Sequence, residues 1–312
     1  MHGGLGGYVA RQGAYTVAVM AVASVLVFYA LRVAPGDPVN AVLNPLALEE
    51  AREQMRQTLG LDQPIWLQYF IYLGRVFRGD FGVSLLNGNS VGSLILTYGK
   101  ATLLLAGTAL ILTYLVSLPL GVLAAIKRNS IWDQIASFVA NLGMAIPNFW
   151  LALLLIGFFS VSLHWLPISG SGTPAHLVLP VIVLSMEGIA VTMRLMRTSM
   201  LEQLGQDYVR TLRAKGLSTW RVVWVHTLRN ALTPIVSLAG LRFGWLIGYT
   251  LIVETVFRWP GLGFLLVDSV LRRDYPVAQA LSLLLTLTVL LGNFLANIAY
   301  AWVDPRVRAQ VA

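Results

Sequence analysis

The chain has 312 residues, of which 57% are hydrophobic and 12% charged, with a formal net charge of +8 and no cysteine. A soluble domain carries about 25% charged residues, so this balance excludes an ordinary soluble fold, and the lack of cysteine excludes disulfides and thiolate chemistry. The basic residues flank several long apolar runs instead of forming one patch, which argues for membrane orientation and against nucleic acid as a partner.

The first apolar run, 14–33, has the length of about 20 residues that crosses a hydrocarbon core about 30 Å thick. Its small residues Ala21 and Ala23 lie mid-run and not after a short apolar core, so the run reads as a retained helix and not as a cleaved leader. Further runs cover 101–126, 135–159, 177–193, 231–256 and 278–302. Backbone in lipid must satisfy its own hydrogen bonds, so each run reads as a helix. The expected fold is an all-α integral membrane protein with six transmembrane helices.

Lys127 and Arg128 follow the second run, and Arg194, Arg197, Arg210, Arg213, Lys215, Arg221 and Arg229 follow the fourth. The loop 160–176 has no Lys or Arg, and the tail carries Arg306 and Arg308. Excess Lys and Arg marks the cytoplasmic side, so both termini are expected there. The loop 254–277 falls outside although it holds Arg258, Arg272 and Arg273, with Glu254, Asp268 and Asp274 as balancing charges. Three regions follow: a tail and first span over 1–33, an extracytoplasmic loop region over 34–100, and a five-helix core over 101–312 with a cytoplasmic loop at 194–230.

Within the loop region, 47–59 is rich in helix formers and stops at Gly60. Pro64 suits the start of another helix. Trp66, Tyr69, Phe70, Leu73, Val76 and Phe77 would share one face of it, which fits either the membrane interface or a small core of the loop itself. Gly79, Gly82, Gly88 and Gly92 are expected to loosen the chain before the second span. Pro119 with Gly121, and Pro147 beside Asn148, are candidate kinks in spans two and three.

Asn148, Glu187 and Arg242 are the polar candidates at membrane depth. Charge there is expensive and faces the bundle interior or water. Glu187 and Arg242 read either as a pathway or proton-relay pair or as a structural ion pair or snorkelling side chains.

The segment 207–234 is polar and basic between two apolar runs. Asp207 opens a short helix with Arg210, Arg213 and Lys215 exposed; Gly216 can end it in the left-handed conformation, and Ser218 can cap a second helix carrying Val222, Val223 and Val225. Pro234 fits the first turn of span five. Such a bar could pass a push to span five, or its charges could do no more than fix topology and touch anionic lipid.

The sequence DYVRTLRAKGL followed by HTLRNALTP resembles the signature loop of ABC-importer permeases of the dipeptide, oligopeptide and nickel type. The B-type subunit is further matched by APGDP at 34–38, LGLDQP at 59–64, GDFGVS at 79–84, IPNFW at 146–150, LPISG at 166–170, ETVFRWPGLG at 254–263, RDYP at 273–276 and DPRVR at 304–308. The resemblance runs end to end. It implies a type I importer fold, a second homologous permease, two cytoplasmic ATPase subunits, an extracytoplasmic solute-binding protein and residence in a prokaryotic inner membrane. It further implies that Asp207, Arg210, Arg213, Ala214, Lys215, Gly216 and Leu217 form the ATPase-coupling segment. Arg210, Thr211 and Leu212 stand where the general motif has Glu-Ala-Ala, a variant common in the peptide-type subfamily.

No phosphate-cradling GxxxxGK[ST] loop is present, so nucleotide would be bound by a partner, and the chain itself is expected to be no enzyme and to carry no cofactor. Alternating access would follow ATP-driven closure of the ATPase pair, with peptides as the main solute theme and nickel, other metal chelates and sugars as variants. An ion-coupled secondary transporter using Glu187 would show internal repeats, which the two halves do not. A membrane assembly factor would need no cavity.

Overall fold

The computed structural model describes residues 5–33, 39, 43, 48–58 and 60–303. Among these residues every regular element is helical, and extended pairing is confined to a single bridge between Val83 and Ser90. The APGDP and DPRVR segments lie outside the described residues, as does Leu59. The helices are α1 (Leu5–Val33), α2 (Glu49–Thr58), α3 (Ile65–Phe77), α4 (Val91–Ile126), α5 (Ile131–Ala145), α6 (Asn148–Leu155), α7 (Ala175–Leu204), α8 (Asp207–Ala214), α9 (Thr219–Arg221), α10 (Leu228–Ala231), α11 (Thr233–Phe257), α12 (Leu262–Leu271) and α13 (Tyr275–Val303). Wide π-helical turns extend α6 over Ile156–Ser162 and join α9 to α10 over Val222–Thr227.

Helices α1, α4, α7 and α13 are each long and apolar enough to cross a membrane. Two broken pairs could each supply a further span: α5 with the α6 arm, bent by 108°, and the end of α11 with α12, bent by 71°. The expected third span is therefore not one straight helix. Pro147 sits at the break between α5 and α6, whereas Pro119 lies inside an unbroken α4.

The strut of the molecule is α4. Its 36 residues reach about 54 Å at about 1.5 Å per residue, beyond a hydrocarbon core of about 30 Å. Three apolar clusters sit along it. Val91 and Leu94 meet Leu265, Val277 and Leu281 of α12 and α13 at one end. Leu105 and Ala109 meet α6, α7 and α11 through Ala152, Val183 and Phe257. Val122 and Ala125 meet Met196, Met200, Val223, Ala231 and Ile235 at the other end. Helices α4 and α7 approach closely at Gly121, where a Cβ would stand 2.7 Å from Met196 Cβ and 2.8 Å from the Met193 carbonyl oxygen.

Several boundaries differ from expectation. Helix α4 starts ten residues before the apolar run; Val91 and Leu94 pack on α12 and α13 there, and Ser93 and Thr97 return their hydroxyls to the Ser90 and Ser93 carbonyls at 2.7 and 2.9 Å. Gly92 is thus helical, while Gly82, at φ +84°, precedes the Val83–Ser90 bridge and its carbonyl accepts from the Val91 amide at 3.0 Å. Helix α7 continues to Leu204, so Arg194 and Arg197 are helical and not loop residues. The aromatic face expected of α3 splits in two. Tyr69 packs against Phe28 of α1 and shares a 2.8 Å hydrogen bond with Ser24, while Trp66, Phe70 and Phe77 face outward.

Candidate functional site

The expected coupling residues form one compact projection at the Val122 end of α4. Helix α7 runs into a two-residue corner, Gly205 and Gln206, and α8 begins at Asp207. Only Val209 of α8 is buried, at 1% exposure, so this helix touches the body by one narrow edge. Arg210, Arg213, Ala214 and Lys215 are exposed. Asp207 pairs with Arg210 at 3.5 Å, a solvent-exposed contact that adds little.

Gly216, at φ +79°, ends α8. Its amide donates to the Arg213 carbonyl at 2.9 Å and the half-buried Leu217 donates to the Leu212 carbonyl at 3.3 Å. These paired bonds use two of the carbonyls that a helix end would leave bare. The Ser218 hydroxyl then accepts from the Arg221 amide at 3.5 Å and starts the next turn. The second helix is not the regular one expected: after α9 the backbone widens into the π turn, closed by Thr227 Oγ1 donating to the Val222 carbonyl at 2.8 Å.

The base of this projection is stapled to the bundle. Ser199 Oγ of α7 donates to the Ala231 carbonyl of α10 at 2.9 Å. Val223 and Ala231 enter the cluster of Val122 and Met196. Between α8 and the π turn lies a groove of about 710 Å³, lined by Tyr208, Leu212, Val225, His226 and Arg229 among others. The arrangement leaves a basic helix exposed while fixing its root to α4, α7 and α11.

The remaining candidates are not drawn into this site. Asn148 stands in the first turn of α6, and Glu187 is half-buried in α7. Arg242 belongs to α11, but its side chain lies outside the described residues.

The opposite end of α4 holds polar contacts that a residue-by-residue reading of the sequence missed. Glu254 is fully buried. Its Oε2 accepts from the amides of Gly263 and Phe264 at 2.7 and 3.1 Å, and its Oε1 accepts from Thr102 Oγ1 at 2.7 Å. Thr102 Oγ1 in turn accepts from the Leu262 amide at 2.8 Å. The first amides of α12 are thereby satisfied by a side chain of α11 and one of α4. Trp259 Nε1 donates to the Ala101 carbonyl at 3.0 Å, and the Gly170 amide donates to the Phe257 carbonyl at 2.8 Å. Segments 166–170 and 254–263 therefore meet on α4. Segments 79–84 and 273–276 meet likewise, through a buried Ser84 to Asp274 hydrogen bond and a 3.0 Å bond from the Leu85 amide. The available signal in the sequence is an acid just ahead of the Trp-Pro-Gly turn, but its balancing role beside Arg258 is the simpler reading.

A second missed pair ties α5 to α7: Asp133 accepts from Arg197 Nε at 2.6 Å and from Nη2 at 2.8 Å. Among the described residues, no three His, Cys, Asp or Glu side chains group as metal ligands.

A bundle of long apolar helices with two broken pairs, and a basic projection rooted at one end, defines a polytopic membrane protein. Comparison with known proteins specifies the class. Residues 117–309 match the family described as the binding-protein-dependent transport system inner membrane component, and residues 7–93 match its N-terminal region. The oligopeptide transport system permease protein AppB of Bacillus subtilis is 40% identical over 311 residues, covering 96% of this chain and 98% of the relative. The glutathione transport system permease protein GsiC of Escherichia coli K12 is 40% identical over 301 residues, with the same coverage of 96% and 98%. A putative peptide permease of Brucella suis is 42% identical, covering 91% and 93%. The inward-facing MetNI methionine ABC transporter matches in fold at a TM-score of 0.50 and 20% identity, over 65% of this chain and 94% of that one. The chain belongs to the family of binding-protein-dependent transport system inner membrane components, and is a permease subunit of an ABC importer.

Proposed function

We propose that this subunit carries peptides inward, crossing the membrane six times with both termini in the cytoplasm. The observation that carries the peptide assignment is the end-to-end likeness, at 40% identity over 96% of the chain, to a permease named for oligopeptide transport. A second permease pairs with it, two ATPase subunits sit beneath, and a solute-binding protein delivers to the outer mouth. Residues 207–217 dock on one ATPase. The reading is supported by the basic, exposed surface of α8 and by the staple at its root, which would pass a displacement of α8 to α7 and α11 as packed elements with discrete arrangements. Solute and nucleotide must each bind the two access states unequally for transport to follow. Asn148, Glu187 and Arg242 are candidate path-lining groups, and Glu187 with Arg242 a candidate pair.

Co-expression with the adjacent genes and reconstitution in liposomes tests this. Peptide-loaded binding protein should stimulate ATP hydrolysis and inward peptide flux. Stimulation by a non-peptide solute alone would overturn the substrate class. Proton-dependent flux without ATP hydrolysis would overturn the importer mechanism.

A further inference from the structure

At the loop end of α4, beside Lys127, an apolar groove of about 490 Å³ opens between α4, α5 and α7. That volume lies within the range of about 300–1,000 Å³ typical of ligand pockets. Its walls include Leu120, Val139, Met186 and Ile189, and Lys127 is the one charged residue among those that line it. Trp132 forms the rim, with Lys127 Nζ standing 5.9 Å from its ring centroid. Arg128 follows at once in the same loop and is exposed.

Among the described residues, neither Lys127 nor Arg128 is in a salt bridge. Asp133 lies on the turn of Trp132, but it is 4% exposed, and its oxygens are taken by Arg197 and by the Asn129 amide at 3.0 Å. The result is an apolar slot that begins at an aromatic and cationic rim. Tryptophan and lysine at a helix end mark the depth of lipid headgroups.

We infer that this groove is a binding site for one acyl chain of an anionic phospholipid, whose headgroup phosphate lies against Lys127 at the Trp132 rim. The apolar walls accept the chain without leaving any lining polar group unpaired, and the lysine selects an anionic over a zwitterionic headgroup. The site does not depend on the solute carried.

The test uses the full-length chain, purified from membranes and placed in nanodiscs of phosphatidylcholine and phosphatidylglycerol, each in turn carrying a diazirine on its acyl chain. After photolysis, peptides are mapped by mass spectrometry. Wild type should be labelled within 132–140 and 186–190, with phosphatidylglycerol preferred. Lys127→Gln should lower that preference about five-fold, the worth of one lysine near an anionic surface. Val139→Trp should fill the slot and remove labelling at 186–190. Equal labelling by both lipids in wild type, or labelling unchanged in both variants, would overturn the inference. An unlabelled groove, with Val139→Trp instead abolishing co-purification of a second permease, would overturn it in favour of a subunit interface. Should Val139→Trp fail to fold, the wild-type map and the exposed Lys127→Gln still decide the matter.

Discussion

Thr102 and Glu254 are 152 positions apart, and their side chains meet at 2.7 Å inside the bundle. Together they occupy the amides of Leu262, Gly263 and Phe264, which a helix start would otherwise leave bare. The broken corner between α11 and α12 is therefore anchored to α4 through a polar joint. Leaving a buried donor unmade costs about 1–3 kcal/mol per group. Glu254→Ala should lower the apparent melting temperature of the detergent-purified protein sharply, while Glu254→Gln, which keeps one carbonyl acceptor, should lower it less. Equal losses for the two variants would show that the amide bonds contribute nothing.

Gly261 gives an independent probe of the same joint. A Cβ there would fall 2.2 Å from Glu254 Cδ and 2.3 to 2.4 Å from its two oxygens. Gly261→Ala must therefore push the carboxyl group off the α12 amides. Its loss in melting temperature should match that of Glu254→Ala, and adding Gly261→Ala to Glu254→Ala should cost little more. Additive losses would place the effect of Gly261 elsewhere.

The Asp133 and Arg197 side chains are 5% and 26% exposed and joined by two hydrogen bonds. Removing one partner of a buried pair costs about 3–5 kcal/mol because the other charge is stranded. Asp133→Asn and Arg197→Gln should each destabilise the purified protein, and the double variant should be clearly less destabilised than the sum. Thermal unfolding of the four proteins in a double-mutant cycle measures the coupling.

Gly216 has open space around its Cβ position, so a side chain there meets strain from the φ of +79° and no clash. Backbone strain of this kind costs about 1–3 kcal/mol. Gly216→Val should unwind the end of α8 and suppress ATP-driven uptake while membrane insertion stays normal. Gly216→Asn should retain most of the uptake, since asparagine tolerates the left-handed region. Wild-type uptake by the valine variant would remove this turn from coupling.

Arg213 and Lys215 are both exposed and make no contribution to the core. Converting both to Glu should leave the melting temperature unchanged and reduce recovery of the ATPase subunits in pull-down. Undiminished recovery would place the docking surface elsewhere.

The parts of this fold that the chain declares are those set by local chemistry. The stop at Gly216 and the cap at Ser218 are each encoded within a few residues, and both stand as read. The apolar runs are legible, but the helix ends are not: α4 extends through Ser93 and Thr97, where Val91 and Leu94 pack on the remote Leu265, Val277 and Leu281. Pro119 and Pro147 look alike in sequence, yet one rides inside a helix and the other stands at a 108° break, because neighbouring helices determine the outcome. Glu254 reads as a balancing charge of the loop 254–277, and nothing local singles out Asp133. Their side-chain partners Thr102 and Arg197 lie 152 and 64 positions away, beyond the reach of any periodicity.

The bond from Ser199 to the Ala231 carbonyl closes the stretch between them into a ring with a fixed neck. A ring held at its neck cannot pass work in one direction alone. Binding free energies between linked sites are reciprocal, so under the proposed docking of an ATPase on α8, cargo held between the helices acts back on α8. The rate at which protease cuts the exposed turn at Gly216 should therefore respond to cargo, even with no nucleotide present.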